Sequence, residues 1–77
     1  MIKSFTVYRP NIPEGTHTEA QANEKDKPQF EGIIFSDGTT VIHWCTKHGS
    51  TSIFKTFQEL MDIHGHPEYG TYFVWEG

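Results

Sequence analysis

Between Ile2 and Arg9 β-branched and aromatic side chains alternate with polar ones: Phe5 and Val7 share one face, Ile2, Thr6 and Tyr8 the other. A period of two predicts a strand that ends at Pro10, whose ring removes the next backbone donor. From Asn11 to Gln29 no period holds and apolar side chains almost vanish. Such a stretch buries too little surface to offset its ordering entropy, so residues 11–29 are expected to be a long polar loop or a disordered segment. It reads either as a tolerated insertion or as a lid or arm that contacts a partner.

The next pattern is a hairpin. Phe30–Phe35 and Thr40–Cys45 flank Ser36-Asp37-Gly38-Thr39, and Asp37-Gly38 suits the two positive-φ positions of a type I′ turn. That turn would set Ile34 opposite Val41, Gly32 opposite His43 and Phe30 near Cys45. Ile33, Phe35, Ile42 and Trp44 would then share the reverse face, leaving both faces apolar. A hairpin with one wet side does not look like this.

After a Gly/Ser/Thr-rich link, Ser52-Ile53-Phe54 forms a short strand. Thr56-Phe57-Gln58-Glu59 is a capping box, and Phe57, Leu60, Met61 and His64 recur at helical spacing. Gly65 suits a left-handed C-cap and Pro67 lies beyond it, so the helix is expected over 56–64. A turn at Glu68-Tyr69-Gly70 then leads to a strand at Thr71–Trp75. The pattern gives an α+β fold in one small domain, residues 1–77. Its antiparallel sheet has four or five strands in the chain order β-β-β-β-α-β, with one short helix on one face and a long N-terminal loop.

One helix covers one face. The other, carrying Ile33, Phe35, Ile42 and Trp44, needs a cover, and a second copy of the chain is the expected one, making a homo-oligomer. A strongly curled sheet closing on itself is the alternative.

Composition narrows the partners. The 77 residues (8.9 kDa) carry 6 Lys+Arg against 10 Asp+Glu, a net charge of −4 with five His neutral. That balance disfavours a nucleic-acid duplex or an anionic membrane surface, which need clustered cations. No apolar run is long enough to span a bilayer. The lone cysteine precludes an internal disulfide and fits a reducing cytoplasm.

Candidate chemistry is sparse. Cys45-x-x-His48 and His64-Gly65-His66 offer four ligand atoms, but the H-x-H pair is an unusual zinc spacing and Cys45 falls on a strand. No metal or other cofactor is expected. His64 would close the helical stripe and place its charge at the helix C-terminus, and His66 would hydrogen-bond the following turn. Nothing marks Cys45 as a low-pKa nucleophile, and Asp37 and Glu59 serve a turn and a cap. No phosphate-loop, dinucleotide or metalloprotease motif is present, so an enzyme is not expected. The better ligand site is Thr46–Ser52: Lys47, His48, the Gly49 backbone, Ser50 and Ser52 offer an anion nest, with Trp44 and Tyr69 or Tyr72 to stack a base.

Phe30-Glu31-Gly32-Ile33-Ile34-Phe35-Ser36-Asp37-Gly38, then His43-Trp44, Ser52-Ile53-Phe54, Phe57-x-Glu59-Leu60 and Ile63-His64-Gly65-His66 make a longer pattern. It resembles a small uncharacterised domain encoded in phages and actinobacterial genomes, over residues 30–75. The resemblance brings no catalytic or ligand residue with it. It implies a setting in which short proteins act by binding: a phage or mobile-element accessory factor that blocks a host protein in counter-defence, working in the host cytoplasm. The alternatives are an oligomeric sponge for a small nucleotide or other anionic ligand at a subunit interface, and a metal-stabilised structural module.

Overall fold

A computed structural model of the chain describes residues 2–13, 15, 17 and 22–76. The elements are β1 (Lys3–Tyr8), β2 (Phe30–Ile34), β3 (Thr40–Trp44), β4 (Thr51–Phe54), the helix α1 (Phe57–His64), a 3₁₀ turn (Pro67–Tyr69) and β5 (Tyr72–Glu76). The strands form one sheet in the order β4-β3-β2-β1-β5, every neighbouring pair antiparallel. The chain therefore runs from the β4 edge to the β5 edge after β4, and α1 lies on that crossing. The result is the expected α+β architecture. Of the polar segment, residues 14, 16 and 18–21 lie outside the described residues. Its end is anchored: Gln29 is buried, accepts from the Asn23 amide (2.8 Å) and donates to the Asn23 carbonyl (2.8 Å). The Asn23 side chain donates to the carbonyls of Pro28 (2.8 Å) and Cys45 (2.9 Å).

The hairpin register differs by one residue from the type I′ expectation. Ile34 pairs with Thr40, Gly32 with Ile42 and Phe30 with Trp44. The Gly38 amide donates to the Phe35 carbonyl (2.9 Å), and the Phe35 amide to the Thr39 carbonyl (2.8 Å). Gly38 has φ +94°, whereas Asp37 keeps a negative φ and accepts the Thr39 amide on Oδ1 (2.9 Å). The connection is a three-residue loop with one left-handed residue at its end. A one-residue slip exchanges the faces of a whole strand. Ile42 and Trp44 accordingly join Phe30, Gly32 and Ile34 beneath the helix, and Val41 and His43 join Ile33 on the reverse. The grouping of Ile42 and Trp44 with Ile33 and Phe35 does not hold.

The core is Phe5, Val7, Phe30, Ile42, Phe54 and Leu60, with Ile34, Trp44, Phe57 and Phe73 packed around it. Phe5 sits centrally, its ring centroid 5.2 Å from Phe73, 5.4 Å from Trp75 and 6.0 Å from Phe57. Gly32 makes room for it: a Cβ there would lie 2.5 Å from Phe5 Cζ.

Helix α1 starts as its sequence dictates. Thr56 Oγ1 accepts the Glu59 amide (3.1 Å), and the Glu59 carboxylate reaches back to the Lys55 amide (3.0 Å), one residue beyond the expected Thr56. Leu60 is fully buried, with Phe57, Met61 and His64 half-buried on the same stripe. At the C-terminus the left-handed residue is His66 (φ +34°), not Gly65, which stays right-handed with its amide on the Met61 carbonyl (2.9 Å). Gly65 is required for close approach instead, since a Cβ would clash with the Met61 carbonyl oxygen. Among the described residues no helix is long and apolar enough to cross a membrane.

Candidate functional site

Alternation along five antiparallel strands places every second side chain on the sheet face opposite α1. Register defines two rows there. One runs Thr51–His43–Glu31–Thr6–Val74 and the next Ile53–Val41–Ile33–Ser4–Glu76. No element among the described residues covers them. Ile53 is 73% exposed, Ile33 40%, Phe35 42% and Val74 44%. The apolar side chains gather at the β2–β4 end, where Ile33, Val41 and Ile53 stand side by side and Phe35 follows Ile33 in alternation. Tyr8 and Tyr72 stack at the opposite corner, their centroids 5.3 Å apart.

Between these corners lies a shallow depression of about 400 Å³. Ser4, Thr6, Glu31, His43 and Glu76 give it a polar lining beside Ile33 and Val41. His43 Nδ1 shares a hydrogen bond with Thr51 Oγ1 (2.9 Å), which orients the ring. The lining holds two carboxylates and no lysine or arginine. Beside it, partial burial and the Glu31 charge push the Cys45 thiol above its usual pKa, the reverse of what a nucleophile requires.

A second constellation lies under the sheet, at the end of β1. Arg9 follows Phe5 and Val7 in alternation, so its side chain enters the core side and is only 6% exposed. Its guanidinium carbon sits 5.3 Å from the Phe30 ring centroid, 5.5 Å from Trp44 and 5.6 Å from Tyr69. Arg9 Nη2 donates to the carbonyl of His64, the last residue of α1. Planarity lets one guanidinium stack and cap at once, which a lysine could not do. Arg9 Nε is buried without a hydrogen-bond partner. Burial lowers the Arg9 pKa, against the opposing pull of Tyr69 and Glu68.

Arg9 also changes the expected role of His64. The His64 ring packs edge-on against Trp44 (5.1 Å) and Phe54 (5.8 Å). Burial, then the Arg9 charge, then His66 lower its pKa. The cation at the helix C-terminus is therefore Arg9, and His64 is held toward its neutral form. His66 does bond the following turn, its Nδ1 2.8 Å from Glu68 Oε1 and its ring stacked on Tyr69 (4.7 Å).

The sequence-predicted ligand residues are placed in two groups. Trp44 and Tyr69 both neighbour the Arg9 guanidinium, their rings already packed on the cation at 5.5 and 5.6 Å. Lys47 and His48 are exposed in the β3–β4 turn, Ser50 accepts the Trp44 amide on its carbonyl (2.8 Å), and Ser52 is half-buried on β4. The depression on the open face is lined by none of these six. Cys45, His48, His64 and His66 do not assemble, and among the described residues no group of three or more His, Cys, Asp or Glu is placed to hold a metal ion. Sequence reasoning passed over Arg9, whose signal was its place in the Phe5–Val7–Arg9 alternation. It also passed over the Asn23–Gln29 clamp, which carried no periodic signal.

The sequence family described as "Acb5 phage protein" matches residues 30–77, the segment from β2 to the end of the chain. The chain belongs to the Acb5 phage protein family. The phage setting implied by the 30–75 motif pattern is thus upheld. No curated protein and no solved structure matches the chain. The Acb5 segment carries four strands and the helix, and β1 inserts between β2 and β5 to make them one sheet. It also carries most of the open face, including Glu31, Ile33, Val41, His43 and Ile53, while Ser4 and Thr6 come from β1.

Proposed function

We propose that this Acb5-family phage protein is a non-enzymatic accessory factor that binds and blocks a host protein through the open face of its sheet. The observation that carries the reading is the contiguous apolar corner of Ile33, Phe35, Val41 and Ile53 on a face that no described element covers. Monomeric proteins rarely leave such a surface bare. A net charge of −4 adds complementarity to basic host surfaces and suppresses acidic ones. The rival reading, a small anionic ligand held by Trp44, Tyr69 and the Lys47–Ser52 turn, has less support, because both rings already pack on Arg9.

Affinity capture from lysate of the phage's host, with wild type and Ile33→Asp/Ile53→Asp in parallel, tests the proposal. Wild type should retain one host protein stoichiometrically and the double variant should lose it, with unchanged circular dichroism. Equal retention by both proteins rejects the face. A melting-temperature rise with a nucleotide, of the size that about 2.7 kcal/mol at 100-fold excess over Kd produces, would favour the sponge instead.

A further inference from the structure

The open face is not uniformly apolar, and its polar centre specifies what it accepts. Glu31 and Glu76 line the depression together with the Ser4 and Thr6 hydroxyls and His43, and the lining contains no permanent cation. Among the described residues neither glutamate takes part in an ion pair, the one such pair being His66–Glu68. Ile33 and Val41 wall the depression on the side toward Ile53. Resting on the reading that this face binds a host protein, we propose that the partner presents a lysine or arginine to the depression, flanked by apolar side chains that cover Ile33 and Ile53. A cationic head with an apolar stem matches both parts of the surface: the head meets the carboxylates and hydroxyls, the stem lies along Ile33 and Val41. An acidic or purely apolar partner would leave two carboxylates desolvated and unpaired, which is strongly unfavourable. A second copy of the chain fits poorly for the same reason, since it brings the same two glutamates to the contact.

The test uses the full chain, isotopically labelled, and two synthetic peptides, acetyl-Lys-Val-Arg-Val-Lys-Val-amide and its counterpart with Glu at each cationic position. Amide shifts at Thr6, Glu31, Ile33 and His43 are expected with the basic peptide, weakened several-fold by raising salt from 50 to 300 mM (about a twofold shorter screening length). None are expected with the acidic peptide. Glu31→Gln/Glu76→Gln should weaken the basic peptide at least about tenfold. Equal response to both peptides, no response to the basic one, or an unchanged affinity in the glutamine variant overturns the inference. If the glutamine variant is unchanged while Ile33→Asp/Ile53→Asp abolishes binding, the cation preference falls and the docking face stands. If neither variant matters, both fall.

Discussion

Replacing Gly32 by alanine separates packing from backbone propensity, because the two give opposite signs. Glycine inside a strand costs about 0.5–1 kcal/mol relative to alanine through backbone entropy. On that ground alone Gly32→Ala would stabilise the protein. Packing opposes it. The new methyl would lie 2.5 Å from Phe5 Cζ, 2.9 Å from Phe5 Cε1 and 2.8 Å from the Val41 carbonyl oxygen. The Val41 contact is backbone in a paired strand, and the Phe5 ring is 2% exposed among Phe57, Phe73 and Trp75. A Cβ that close forces the packed ring or the paired strand to shift. Overpacking of this kind costs about 1–3 kcal/mol, so the net loss should be about 1–2 kcal/mol. For a domain of this size that lowers Tm by roughly 5–15 °C. Chemical denaturation with an unchanged slope is the assay. Phe5→Leu, destabilising by itself, should cost less in the Gly32→Ala background, giving a favourable coupling in a double-mutant cycle. A Gly32→Ala protein as stable as wild type, or more so, refutes the packing account.

Other substitutions test the remaining parts. Arg9→Ala removes a side chain packed on three rings together with the cap on α1, and should cost about 2–4 kcal/mol in a denaturant melt. Because His64 has a lowered pKa when folded, the unfolded chain binds more protons as pH drops below the ordinary value near 6.5, so stability is full above that pH and falls on acidification toward the folded value. Melts between pH 7.5 and 5 should show this loss, and in Arg9→Met the His64 pKa, read by NMR titration, should rise. Thr56→Ala should cost about 1 kcal/mol through loss of the Glu59 amide cap. Gly38→Val, forced to a positive φ, should cost about 1–3 kcal/mol.

What the sequence disclosed follows the strength of local signals. The capping box and the Phe57–Leu60–Met61–His64 stripe are set within one turn of chain, and the helix appears where they place it. The hairpin was legible in position but not in register. Asp37-Gly38 serves both a two-residue turn and a three-residue loop, and the choice rests on Asp37 retaining a negative φ while its carboxylate accepts the Thr39 amide. That single residue decides the face of Trp44, and with it which side chains line the open face. The pattern predicts an apolar open face of Ile33, Phe35, Ile42 and Trp44; in the structure Ile33 and Phe35 stand there with Val41 and Ile53, while Ile42 lies in the core and Trp44 packs against it. The placement of β1 between β2 and β5 depends on contacts distant in sequence and has no local mark. The same holds for Arg9, whose aromatic neighbours come from three separate elements.

The most direct test of the proposed binding face is native mass spectrometry of the protein expressed in its host, for wild type and Ile33→Asp/Ile53→Asp. The expected wild-type spectrum shows a stoichiometric complex with one host protein, and the double variant appears as a bare monomer. A wild-type spectrum holding only monomer, a homo-oligomer without host protein, or a host complex that survives in the double variant would contradict the account.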